Sequence, residues 1–181
     1  MSPFGTQFNN AHFSKLQQSE ERTKIILDWV KKESGIFFWG AKAFGENIGN
    51  GKTYFCACLY NYLTEKKENV RAYGEIEYYT ILKEAISKNW DYNFEARRIC
   101  EAKWLIIDDL GTSKISEFTK ECVYTMIDTR LNSGLPTLIT TNLTLGDIQE
   151  NYGSRVLSRI NSVKNVVVLS NDGDRRKNIF D

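Results

Sequence analysis

Five short apolar runs alternate with stretches of helical spacing along this chain, and that alternation restricts the fold more than any other feature of the sequence. The runs are IFFW (36–39), VRAYGEI (70–76), WLIID (104–108), PTLITT (136–141) and NVVVLS (165–170). Between them, residues 53–64, 77–88, 117–132 and 144–161 have helical spacing, the last broken near Gly153. RTKIILDWVKKES (22–34) predicts an amphipathic helix ahead of the first run, and NSGLP (132–136) stops one helix and starts a strand. Strands separated by helices are the pattern of a parallel sheet covered by helices, so the expected class is α/β with five strands.

At 181 residues, 41% hydrophobic and 13% aromatic, the chain has the length and composition of one globular domain. The expected domain is the whole of residues 1–181, with 1–21 leading into it and 171–181 a loosely held tail. The first dozen residues are also expected to be loosely held. Lysine and arginine number 24 against 23 acids, a net charge of +1, so a nucleic-acid partner would have to be met by a local patch. No apolar run approaches the roughly 18 residues needed to cross a bilayer, and MSPFGTQFNN lacks the layout of a signal peptide, which predicts a cytoplasmic protein with no membrane partner. Cys56, Cys58, Cys100 and Cys122 form no C-x-x-C pair and His12 lies far from them, so burial is expected rather than zinc. His12 has no Ser or Cys constellation to serve as acid or base.

The candidate chemistry is in GENIGNGKTYF (45–55). A phosphate-binding P-loop reads G-x-x-x-x-G-K-[ST], and here Glu46 stands where the first glycine belongs, with Gly45 one residue too early and Gly40 six. Gly49, Asn50, Gly51, Lys52 and Thr53 supply the remainder: amides that can face phosphate oxygens, a lysine charge and a hydroxyl for Mg²⁺. They follow an apolar strand and open a helix, as the motif requires, and Tyr54 joins them as a candidate nucleotide contact. KWLIIDDLG (103–111) has the form of a Walker B segment, a strand ending in two acids. Asp108 would hold Mg²⁺ and Asp109 would orient the attacking water, and side-chain alternation along the strand is expected to aim them apart.

LIIDDLGTSKISEFTKECVYTMIDTRLNSGLPTLITTNLTLGDI, then YGSRVLSRI and a terminal GDRR, resemble the AAA+ ATPase domain of bacterial helicase loaders of the DnaC/DnaI type and the IstB ATPases that assist transposition. FNNAHFSKL near the start is similar to the segment that enters that domain. The resemblance implies a P-loop NTPase three-layer α/β/α sandwich, its parallel sheet in the order 5-1-4-3-2, without the C-terminal helical lid. It implies sensor 1 at Asn142 in TTN, for which a helix cap or turn is the competing role. Arg159 would be an arginine finger reaching a neighbouring subunit's nucleotide, with Arg155 as its alternate on the same helical face. Arg175 or Arg176 would supply a sensor 2 type contact.

From the resemblance, ATP and Mg²⁺ are the expected cofactors, and single-stranded DNA, a replicative helicase and further copies of the chain the expected partners. Asp109 stands where many AAA+ proteins have glutamate, which implies slow hydrolysis stimulated by assembly. Residues 77–100 join aromatics to basic groups: Tyr78, Tyr79, Trp90, Tyr92 and Phe94 could stack bases, but several must belong to the core and a structural role is favoured for each, so Lys88, Arg97 and Arg98 are the better candidates for DNA phosphates. A transposition-helper ATPase and a binding module that has lost ATP through its altered loop are the alternatives.

Overall fold

The computed structural model describes residues 2–16, 20–33, 35–40, 51–88, 91–162 and 165–168. Helix α1 (Glu20–Lys32) leads to strand β1 (Ile36–Gly40), α2 (Lys52–Glu65) and β2 (Val70–Gly74). Two helices, α3 (Glu75–Ser87) and α4 (Tyr92–Cys100), then lead to β3 (Trp104–Leu110). The chain continues through α5 (Glu117–Asn132), β4 (Thr137–Thr141), α6 (Leu145–Tyr152), α7 (Ser154–Asn161) and β5 (Asn165–Val168). All pairings are parallel: β1 joins β4, β4 joins β3 and β3 joins β2, the order 1-4-3-2, while the backbone of β5 lies along the other side of β1. The sheet thus runs β2-β3-β4-β1-β5.

Alternation along each strand divides the core in two. Phe37, Trp39, Trp104, Ile106 and Leu138 face α1 and α2. Ile36, Phe38, Leu105, Ile107 and Ile139 face the cover formed by α3 to α7. Trp29 fastens α1: its ring lies 5.1 Å from Phe37 and 5.5 Å from Trp104, and Nε1 donates to Gly35 O at 3.1 Å. Burying one such side chain stabilises by about 1.5–3 kcal/mol. All four cysteines are buried.

At the end of the sheet where the strands begin, Arg130 is fully buried. Its guanidinium donates to Thr137 Oγ1 at 2.8 Å, Cys100 O at 2.9 Å, Pro136 O at 2.6 Å, Lys103 O at 3.2 Å and Ala102 O. It therefore fastens the end of α5 to the starts of β3 and β4. Burial lowers its pKa to about 10, so the fork remains charged at neutral pH.

Three expectations need correction. Glu75 and Ile76 open α3 rather than close β2, because side-chain burial there follows the helix, with Tyr78, Tyr79, Leu82 and Ala85 inward. Helix α4 was not anticipated, although Asp91 caps it by accepting from Phe94 N at 3.1 Å. The opening segment is packed down, not loose: Asn61 Nδ2 lies 3.1, 3.2 and 3.0 Å from the carbonyls of Phe8, Asn9 and Ala11. Phe13 lies against Phe55 and Tyr62 at 5.9 and 5.8 Å.

Candidate nucleotide site

Ligands of parallel α/β sheets sit beyond the carboxyl ends of the strands, and Lys52, Thr53, Asp108, Asp109 and Asn142 stand there, at the start of α2 and at the ends of β3 and β4. Helix α2 starts on Gly51, whose φ of 89° is left-handed and suits glycine. Glycine offers no side-chain cap to the first-turn amides, a helix start that a phosphate can occupy instead. Lys52 is buried, 7% exposed, while Thr53 and Tyr54 are half-buried. The Tyr54 hydroxyl accepts a long bond of 3.5 Å from His12 N, which brings the opening segment beside this turn. His12 itself caps a short turn, accepting from Ser14 N at 3.1 Å. Gly49, Asn50, Glu46, Arg175 and Arg176 lie outside the described residues, as does Trp90.

Asp108, 6% exposed, ends the series Trp104, Ile106, Asp108 on the α2 face of β3. Thr140, on the same face of β4, donates its hydroxyl to Asp108 Oδ1 at 2.5 Å, and Cys56 Sγ lies 3.4 Å from the same oxygen. Cys56 is one turn beyond Lys52, so α2 presents both the lysine and the thiol to the strand ends. Burial, aided by the Asp108 charge, pushes the thiol well above its ordinary pKa and keeps it a donor.

The two acids part by a different route from simple alternation. The β3–β4 register shifts between Ile107 and Leu110, with two residues on β3, Asp108 and Asp109, opposite the single Thr140 on β4. Asp109 takes a left-handed backbone, φ 59°, within this bulge. Bulges of this kind re-aim side chains, and aspartate tolerates the left-handed region better than most residues. The Asp109 amide donates to Thr140 Oγ1 at 3.0 Å, and its Oδ1 accepts from Asn142 Nδ2 at 2.8 Å. Asn142 is therefore not the helix cap: Thr144 caps α6 in a reciprocal box with Asp147.

Arg159 on α7 is bound within its own chain, 2.6 Å from Asp128 Oδ1 on α5, and Arg155 is exposed four residues earlier. Of the DNA candidates, Arg97 is exposed, Lys88 pairs with Glu84 at 2.8 Å, and Arg98 pairs with Glu95 at 2.7 Å. Such exposed pairs are worth under about 1 kcal/mol and yield readily to a phosphate. Tyr78 and Tyr79 take the core role favoured for the aromatics of this segment: both are buried, Tyr78 donating to Cys122 O and Tyr79 to Glu75. Tyr92 is half-buried beside Phe118, and Phe94 is 60% exposed.

Sequence reasoning missed three residues around this site. Thr140 could have been found from the TTN motif, since it shares a strand face two residues before Asn142. Cys56 had only its four-residue spacing from Lys52. Glu75 had no signal, yet it is 1% exposed and accepts from Ser113 N at 2.7 Å, Tyr152 OH at 2.8 Å, Tyr79 OH at 3.0 Å and Thr112 OH at 3.1 Å. It ties the turn after β3 to α3 and α6. Gly111 in that turn has φ 99°, and a Cβ there would meet Leu143 Cδ1 at 2.4 Å.

The Asp108 carboxylate and the Thr53 hydroxyl are hard oxygen donors, the type that suits Mg²⁺ rather than a softer ion. The buried lysine at an uncapped helix start fits the phosphates it would neutralise.

A family model described as IstB-like ATP binding protein matches residues 6–179. No curated protein matches the chain. Among solved structures, the chain is similar to AMPPCP-bound DnaA from Aquifex aeolicus at TM-score 0.76 and 14% identity, covering 93% of this chain and 53% of that one. It is similar to the DnaC helicase loader at TM-score 0.71 and 20% identity, covering 92% and 100%. It matches DnaI at TM-score 0.70 and 18% identity, covering 95% and 94%. The chain spans 52–53% of the length of the first structures it matches. At these identities the likeness carries the fold alone. Among the described residues, no helix is long and apolar enough to cross a membrane.

Proposed function

This chain belongs to the IstB-like ATP-binding protein family, and we propose that it is an ATP-hydrolysing factor of DNA replication that acts as a helicase loader does. The observation that carries the proposal is the arrangement at the strand ends: Asp108 is pinned on the α2 side, while Asp109 is turned by a bulge onto the Asn142 amide at 2.8 Å. Lys52 and the amides at the start of α2 bind the phosphates, with Tyr54 beside them; Gly49, Asn50 and Arg175 are proposed as further nucleotide contacts from the sequence alone. Thr53 and Asp108 would hold Mg²⁺, which when bound offsets charge on the phosphates. Asp109 and Asn142 orient a water in line with the γ-phosphorus. The water oxygen bonds to phosphorus as the bond to the bridging oxygen breaks, ADP leaves, and the released proton passes to solvent through Asp109.

In a homo-oligomer Arg159, or Arg155 on the same face, reaches the neighbouring subunit's nucleotide and stabilises transition-state charge. Single-stranded DNA and a replicative helicase are the proposed partners, since one similar structure is a helicase loader and another is DnaA bound to AMPPCP and single-stranded DNA. Lys88, at the C-terminal cap of α3, and Arg97 and Arg98 on α4 are the proposed DNA contacts. The resemblance to the IstB ATPases leaves a second reading, a transposition helper with the same ATP site, and pull-downs with helicase and with transposase separate the two.

Equilibrium binding of a fluorescent, non-hydrolysable ATP analogue to the wild-type chain and to Lys52→Ala tests the site. Loss of a charged donor to phosphate should weaken binding by about 10- to 100-fold. Equal affinities would instead support a binding module without nucleotide.

A further inference from the structure

We propose that Thr140 and Cys56 are positioning residues for the metal: together they hold one oxygen of the Asp108 carboxylate, Oδ1, so that the other, Oδ2, faces the cation. The inference rests on the reading that Asp108 holds Mg²⁺. It adds two residues that have no part in the P-loop or acid motifs.

Hydrogen-bond direction makes the assignment. The Asp109 amide can only donate, so Thr140 Oγ1 accepts there, at 3.0 Å. A hydroxyl has one proton, and the Thr140 proton goes to Asp108 Oδ1 at 2.5 Å. The Cys56 thiol points at the same oxygen at 3.4 Å. Among the described residues both donors choose Oδ1. Thr140 is fully buried and Cys56 likewise, so water does not compete for either bond. One hydroxyl thus fixes the rotation of the Asp108 side chain and the bulged backbone of Asp109, which couples the metal ligand to the acid that aims the water. Side chains behind a metal ligand commonly change metal affinity by about 10- to 100-fold when removed.

The test measures binding rather than turnover. A non-hydrolysable fluorescent ATP analogue is titrated into the full chain in EDTA and at a series of Mg²⁺ concentrations. Thr140→Val keeps the shape and deletes the hydroxyl. It should raise the Mg²⁺ concentration for half-maximal effect by about tenfold while leaving affinity in EDTA at the wild-type value. Thr140→Ser restores the hydroxyl and should restore the Mg²⁺ response, which a purely packing role would not do. Cys56→Ala should give a smaller rise, about two- to threefold, because a thiol is a weak donor, and Cys56→Ser should lie near wild type. Thr137→Val is the control, a buried threonine on the same strand whose hydroxyl serves Arg130 at the far end. It should leave the Mg²⁺ response alone.

A wild-type Mg²⁺ response shared unchanged by Thr140→Val and Cys56→Ala overturns this inference and leaves the ATP site standing. A wild-type chain that binds nucleotide equally in EDTA and Mg²⁺ overturns the reading of Asp108 itself. If Thr140→Val does not fold, Cys56→Ala decides alone, and an unchanged Mg²⁺ midpoint counts against the proposal.

Discussion

Glu75 is a buried carboxylate among donors, and its surroundings decide how the molecule responds to acid. Burial alone would raise its pKa. The Ser113 amide, the Tyr152 hydroxyl and the Gly111 amide outweigh that and hold it below the ordinary 4.5. The other titratable groups facing it are the phenols of Tyr79 and Tyr152, which burial raises and which stay neutral across this range. A carboxylate lowered in the fold binds its proton first in the unfolded chain. Its stabilising contribution is therefore complete above the unfolded value and is lost as pH falls through the folded one. Glu75→Gln removes that dependence. We expect it to lower stability at neutral pH by about 2 kcal/mol, because its amide N–H groups would face donors. Its unfolding free energy, measured by urea titration between pH 7 and pH 3, should then fall less steeply than the wild type's. A variant that keeps the wild-type slope would show that the acid response arises elsewhere.

At the scale of elements, α2 carries more than its motif. Its first turn is the proposed phosphate site, its inner face meets the sheet, and Asn61 on its outer face secures residues 8–11. Asn61→Ala should release that segment, since the carbonyls lose their donor at a cost of about 1–2 kcal/mol. Trypsin should then cut after Lys15 about tenfold faster, with the melting of the sheet domain little changed; an unchanged cleavage rate would assign the docking to Phe4, Phe8 and Phe13 alone. The docked segment was not legible because its order depends on contacts across some fifty positions of sequence, and a polar stretch such as TQFNNAH has neither the strand nor the helix period. By contrast, the strand-helix alternation, the break at Gly153 and the extent of α5 could be read directly, since each is written in local spacing. The placement of Lys52, Asp108, Asp109 and Asn142 at the carboxyl ends of the strands was legible because they stand on motifs at element ends. What held Asp108 and turned Asp109 was not: a bulge exists only relative to a partner strand, and Thr140 becomes a donor only once β4 lies beside β3.

For the molecule as a whole, the arginine proposed to work on a neighbour is bound at home. Arg159 meets Asp128 at 2.6 Å with the two side chains 40% and 26% exposed, and Asn132 supports Asp128 at 3.2 Å. A half-exposed pair of this kind is worth about 1 kcal/mol at most. It is thus a weak latch that a neighbouring triphosphate can outbid, but one that every copy must open before Arg159 can act in trans. Asp128→Asn keeps the bond to Asn132 and removes the charge. If Arg159 is the finger, this variant should reach half its maximal ATPase rate per subunit at a protein concentration about fivefold lower than wild type. Arg159→Ala should abolish the concentration dependence while nucleotide affinity stays at the wild-type value. The two substitutions touch opposite ends of one ion pair, so a structural role would move both variants in the same direction and a role in trans moves them in opposite ones. Matching declines in the two rates would assign Arg159 to the packing of α7 on α5, and the search for a finger would pass to Arg155, four residues away on the same face.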